Sequence, residues 1–225
     1  MTAILVILTA AILLVIEYAY SKKHALQPIV QTSTPVRTPA AARPFLSIVD
    51  GFEVPAHLRY HQGHSWALSE SPNLVRSGMD QFAARLIGKI DQISLPQRGQ
   101  WIRQGQKVWS FMREGKRVDM VSPIEGEVAD INEAVIKNPE LARRDPYGDG
   151  WLMTVKSPDA KTNFRNLMGG AMVRRWMEES ATRLRASMPA MAGAVAQDGG
   201  LVVDDLSICL KEEAWEELTK ELFLS

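Results

Sequence analysis

The sequence predicts a mainly β domain with helices, folded as a flattened two-sheet barrel, with one N-terminal transmembrane helix before it and a C-terminal helical extension after it. Three observations predict this. The chain opens on a long apolar run, about a hundred residues of short β-type runs alternate with turn residues at regular spacing, and apolar residues recur at helical spacing beyond Asn163.

From Ala3 to Ile16 the chain has almost no polar side chain, and the apolar stretch continues through Tyr18, Ala19 and Tyr20. At about 18 residues it is just long enough to span a bilayer core. A cleavable signal would place Lys or Arg before the run and small residues at a cleavage site after it, so the segment reads as a retained anchor. Lys22, Lys23 and His24 follow directly, with Arg37 and Arg43 beyond. Positive flanks stay inside, so the expectation is a single-pass inner-membrane protein whose folded domain faces the cytoplasm. Glu17, close to the helix end, can reach the interface.

Composition narrows the function classes. The 225 residues carry a formal net charge of zero, which removes the electrostatic case for nucleic acid. One cysteine, Cys209, cannot form an internal disulfide and agrees with a reducing compartment. His57, His61 and His64 have spacings that would suit a metal on a helix, but Pro55 and Gly63 interrupt the stretch and no fourth ligand stands nearby, so no metal site is assigned. Neither a nucleotide-type glycine loop nor a nucleophile–base pairing is visible in the sequence, and no catalytic residue is assigned.

The predicted organisation is an anchor over residues 1–21, a Pro-, Thr- and Ala-rich linker over 22–44, the β-rich domain over 45–160, an amphipathic basic helix over 161–188, a second linker over 189–200 and an acidic segment over 201–225. Candidate strands are Trp66 to Leu68, Asn73 to Arg76, Ile90 to Leu95, Val108 to Met112, Arg117 to Val121, Glu127 to Ile131 and Trp151 to Val155. Met79 to Leu86 and Glu133 to Leu141 read as short helices. Two corners match each other, Leu95-Pro96-Gln97-Arg98-Gly99 and Ser122-Pro123-Ile124-Glu125-Gly126, each using proline to fix a turn angle and glycine to permit the return. Between them lies a hairpin turning at Arg113-Glu114-Gly115-Lys116, with the glycine that a tight loop requires.

From His64 to Asp159 the chain resembles the glycine cleavage system H-protein, a relative of lipoyl and biotinyl carrier domains. The resemblance rests on His64-Ser65-Trp66, on Gly78 with Phe82-Ala83 and Gly88, on Leu95-Pro96 with Gly99, and on Gly105. It continues through Ser122-Pro123 with Gly126 and Val128, Asn132, Asn138-Pro139 with Leu141, and the run Asp145-Pro146-Tyr147-Gly148-Asp149-Gly150-Trp151-Leu152. It implies a lipoyl-domain-like barrel-sandwich hybrid in which a lysine at the hairpin tip carries lipoate as a swinging arm. The cofactor supplies the chemistry, while the protein supplies position and docking surfaces.

The family's pattern at the tip resembles Glu-Ser-Val-Lys-Ala-Ala, with the lysine eight residues before the proline of the next corner. Here that position is Gly115, and Lys116 stands seven before Pro123. A one-residue change in a strand reverses the face to which a side chain points. Lys116 is therefore the candidate attachment residue under one of two readings. In the first, Glu114-Gly115 is an ordinary turn flanked by solvated Arg113, Lys116 and Arg117, no cofactor is expected, and the protein is a non-enzymatic accessory or docking subunit of a membrane-associated complex. In the alternative, Lys116 bears lipoate and the protein is a tethered carrier of an aminomethyl group in glycine cleavage.

Past the barrel, Asn163 to Met188 reads as a helix interrupted by Gly169-Gly170, with Phe164, Leu167, Met168, Met172, Trp176 and Leu184 on an apolar face and Arg165, Arg174, Arg175, Arg183 and Arg185 opposite. It suits either packing on the barrel or a membrane surface. The final segment, with Leu206, Ile208 and Leu210 in alternation and then Trp215, Leu218 and Leu222, is too small to fold alone. It must pack on the barrel, on the basic helix or on a partner, and protein partners are expected through the barrel and this segment.

Overall fold

The structure, a computed structural model, describes residues 46–188 and 203–224. It corrects the expected fold class in one respect. Among the described residues no helix is long and apolar enough to cross a membrane. The longest, Ala171–Ser187, carries Arg174, Arg175, Arg183 and Arg185 beside Glu178 and Glu179, far too much charge for a bilayer core. The segment 1–21 assigned to the transmembrane helix lies outside the described residues, as do both linkers. Over the described residues the fold class is therefore the β-rich barrel with its helices, and the expected spanning helix, with membrane contact through it, has no support.

Eleven strands are described: β1 (Leu46–Val49), β2 (Phe52–Pro55), β3 (Arg59–Tyr60), β4 (Ser65–Ser71), β5 (Leu74–Met79), β6 (Gln92–Ser94), β7 (Trp101–Ile102), β8 (Lys107–Arg113), β9 (Lys116–Val121), β10 (Gly126–Ile131) and β11 (Met153–Lys156). They form a six-stranded sheet in the order β3-β4-β5-β11-β10-β7, a three-stranded sheet in the order β6-β8-β9, and the ribbon β1-β2. Every pairing is antiparallel, as two-sheet packing of alternating strands requires. The inward residues of the two larger sheets meet in one core that includes Trp66, Val75, Phe82, Ile102, Phe111, Met120 and Val155. Trp66 donates its indole N–H to the carbonyls of Met79 (2.8 Å) and Pro146 (3.0 Å). A Cβ on Gly78, opposite it in the ladder, would stand 2.9 Å from the ring.

The first expected helix forms as α1 (Gln81–Ile87), capped by Asp80. The second is split into α2 (Glu133–Lys137) and α3 (Glu140–Arg144), because Pro139 offers no N–H and disfavours a helical Asn138. The basic helix is likewise divided, into α4 (Ala160–Arg165) and α5 (Ala171–Ser187), with Gly170 at a positive φ between them. Val173, Met177, Ala181 and Leu184 of α5 are buried, so of its two expected locations it takes the one against the rest of the domain.

The C-terminal segment packs on the barrel and on α5. A single 3₁₀ turn (Ser207–Cys209) replaces the expected alternation, burying Leu206 and leaving Ile208 exposed. Helix α6 (Glu212–Phe223) then buries Trp215, Leu218, Leu222 and Phe223. Burial of each such side chain contributes roughly 1.5–3 kcal/mol, whereas an exposed ion pair contributes about 0–1 kcal/mol. The apolar anchors therefore hold α6, and its glutamates set where it lies.

Phe82 is fully buried, with its ring 4.9 Å from Phe52 and 4.3 Å from His64. Phe82→Ala is expected to destabilise the domain by about 3–5 kcal/mol, read as a lower urea midpoint at unchanged m-value.

Candidate functional site

The hairpin β8–β9 turns through two residues, with Arg113 directly opposite Lys116 in the ladder. Glu114 (φ 49°) and Gly115 (φ 78°) both have positive φ, the signature of a type I′ turn, whose twist matches that of the strands. The Glu114 N–H donates to Asp91 Oδ2 at 2.7 Å, fixing the loop to the start of the β6 segment. Residues directly opposite in an antiparallel pair share a face, so Arg113 and Lys116 emerge together.

That face meets α6. Lys116 Nζ donates to Glu216 Oε1 at 2.6 Å and also pairs with Glu212. Hydrogen bonding to Glu212, and next to Glu216, pushes the ammonium above the ordinary lysine range, and Lys116 in turn holds Glu216 below the usual carboxylate range. The Arg113 guanidinium lies 5.2 Å over the Trp215 ring, whose N–H donates to the Leu86 carbonyl at 2.7 Å. Of the three tip cations expected to be solvated, only Arg117 is well exposed, paired with Asp119 at 2.6 Å.

A second constellation was invisible in the sequence. His64 Nδ1 is 2.8 Å from Asp80 Oδ2 and its Nε2 is 3.2 Å from Ser180 Oγ. The order Ser–His–Asp is that of a nucleophile, base and orienter. All three residues are buried, and the imidazole is stacked on Phe82 and tilted against Trp176 at 4.4 Å. The Ser180 hydroxyl is thus enclosed, and the arrangement joins α5 to the barrel instead of presenting a nucleophile. Of the other two histidines considered as ligands, His61 accepts from the Gly63 N–H at 3.0 Å and His57 lies exposed in the turn after β2. Separations of 16 and 116 residues give no spacing signal from which this contact could be read.

The two Pro-to-Gly corners and the hairpin between them stand as expected, and comparison with known proteins is decisive. The family model described as glycine cleavage H-protein matches residues 58–180, more than half of the chain. The chain belongs to the glycine cleavage H-protein family. A glycine cleavage system H protein from Prochlorococcus marinus is 33% identical over 117 residues, covering 52% of this chain and 90% of the relative. One from Alteromonas mediterranea is 35% identical over 107 residues, covering 48% and 83%. A solved H protein from Mycobacterium marinum is 21% identical, with a TM-score of 0.47 over 57% of this chain and 99% of that one. The H-protein match ends within α5, so α6 lies beyond it.

Within the H-protein domain Asp80 carries two duties, since its other oxygen accepts the Ala83 N–H at 2.8 Å as the α1 cap. Asp80→Ala removes the cap and leaves His64 Nδ1 without its partner, a combined loss of roughly 2–4 kcal/mol. Chemical denaturation is expected to show that loss, together with faster amide exchange in both α1 and α5.

Proposed function

We propose that this protein is a non-enzymatic member of the H-protein family that carries no lipoyl group and serves as an accessory or docking subunit of a protein complex. The observation that carries the reading is the state of the only amine beside the hairpin turn. Lys116 is the first residue of β9, pinned between Glu212 and Glu216, and the position eight before Pro123 is Gly115 in the turn itself. A lipoyl arm fits this surface poorly. A ligase must bring an activated carbonyl against one correctly placed amine, and displacement of that amine weakens the proximity on which transfer depends. Arg113 and Arg117 flank the site with positive charge, which also discriminates against partners built for other surroundings. No reaction step is assigned to the chain's own residues. Its contribution is a shaped surface, in keeping with a fold that does not dictate its function.

The second reading, a lipoylated carrier of an aminomethyl group, is favoured by one fact, that the residue next to the turn is a lysine within a domain of this family. Intact-mass measurement on protein purified from its own source, beside a lipoylated control, separates the two. The expected result is the unmodified mass. A mass increase of one lipoyl group that disappears in Lys116→Arg restores the carrier.

We place the domain in the cytoplasm, a reading supported by its single, half-buried cysteine and by the absence of any other thiol to pair with it. Protease added to intact spheroplasts is expected to leave the domain uncut, and digestion from outside overturns the placement.

A further inference from the structure

The C-terminal segment meets the barrel where two glycines make room for it. A Cβ on Gly63 would lie 2.7 Å from Val121 Cγ2 and 2.8 Å from the Phe223 carbonyl. One on Gly88 would collide with the Asp205 and Ser207 side chains, and Gly88 also holds a φ of +74° that other residues rarely adopt. The Leu206 N–H donates to the Arg85 carbonyl at 2.9 Å, and the Trp215 indole donates to the Leu86 carbonyl, so both contacts use the C-terminal end of α1. A helix C-terminus offers such carbonyls to external donors.

The hairpin tip supplies the rest of the surface. Glu212 and Glu216 are four residues apart and therefore on one face of α6, and both engage Lys116. Three kinds of complementarity coincide on this strip: carboxylates against the ammonium, an indole ring under the Arg113 guanidinium, and the indole N–H on a helix-end carbonyl. The helix itself bears Glu212, Glu213, Glu216, Glu217 and Glu221 against a single lysine, Lys220.

We propose that the hairpin tip and the adjoining end of α1 form an interaction surface for an acidic amphipathic helix bearing one indole, and that α6 occupies it as a ligand in cis, its two glutamates holding the half-buried Lys116 amine. The surface goes beyond the proposed function, resting on it only in requiring that Lys116 carry a free amine. A helix tethered to its site acts at an effective concentration on the order of mM. An outside partner must therefore carry the same acidic and aromatic pattern to displace it.

Lysine acylation on the full chain tests this. Sulfosuccinimidyl acetate transfers its acetyl group to a deprotonated amine, forming an amide and releasing N-hydroxysulfosuccinimide, and peptide mass spectrometry gives a rate for each lysine. Lys107 on β8, 59% exposed, is the internal reference. In the unaltered chain Lys116 is expected to react several-fold more slowly than Lys107. In Trp215→Ala, and in the double variant Glu212→Gln with Glu216→Gln, which keeps every apolar anchor, the Lys116 rate should rise toward that of Lys107. A synthetic peptide of residues 203–224 added to Trp215→Ala should slow Lys116 again, and the same peptide with both glutamines should not. Equal rates for Lys116 and Lys107 in the unaltered chain, no change in the double variant, or equal protection by the two peptides would each overturn the proposal. Finding Lys116 already bearing a lipoyl mass would instead refute the proposed function.

Discussion

The two oxygens of the Asp80 carboxylate hold three parts of the domain in place. One receives the Ala83 N–H and starts α1, and the other receives His64, which stands in the turn that opens β4. The opposite ring nitrogen of His64 reaches Ser180 on α5. A backbone bond from the Asp80 N–H to the His64 carbonyl, 2.9 Å, closes the same loop. His64 has a φ of 59°, an uncommon conformation for a side chain of its size, and it is maintained because both ring nitrogens and both ring faces are engaged. Within this water-poor interior such bonds are electrostatically strong, and leaving any one unmade is correspondingly costly.

The hairpin obeys a different constraint. Its two-residue turn places Arg113 directly opposite Lys116, and like charges facing each other across a ladder repel. The glutamates and indole of α6 offset that repulsion, one cation being paired and the other stacked. The pair of facing cations at the turn and the acidic helix beyond the matched residues thus belong to one arrangement: the helix supplies the charge that Lys116 needs.

Much of the fold was legible because its signals are local. Alternation identified most of the strands of the two larger sheets, paired Pro and Gly identified both corners, and Glu114-Gly115 identified the turn. Two-residue strands such as β3 and β7 are too short to show a period, and the ribbon β1-β2 carries exposed Leu46 and Ile48 where alternation would hide them. The break at Asn138-Pro139 was masked by apolar residues continuing past it. The candidate site was legible only as a position, Lys116 beside the turn. Its environment depends on Glu216, 100 residues away, and on Arg113 finding an aromatic face, neither of which a sequence pattern announces. The N-terminal apolar run, the most conspicuous feature of the sequence, lies outside the described residues.

The strand order carries a further consequence. Three of the four outer strands of the two larger sheets are only two or three residues long, β3, β7 and β6, too short to template pairing with another chain. The fourth, β9, has six residues, enough to recruit a foreign strand, and α6 lies along it. A chain clipped before Glu212 would lose the buried Trp215, Leu218, Leu222 and Phe223 and uncover that edge together with the core face beneath it, so the first symptom of losing the tail would be self-association through β9.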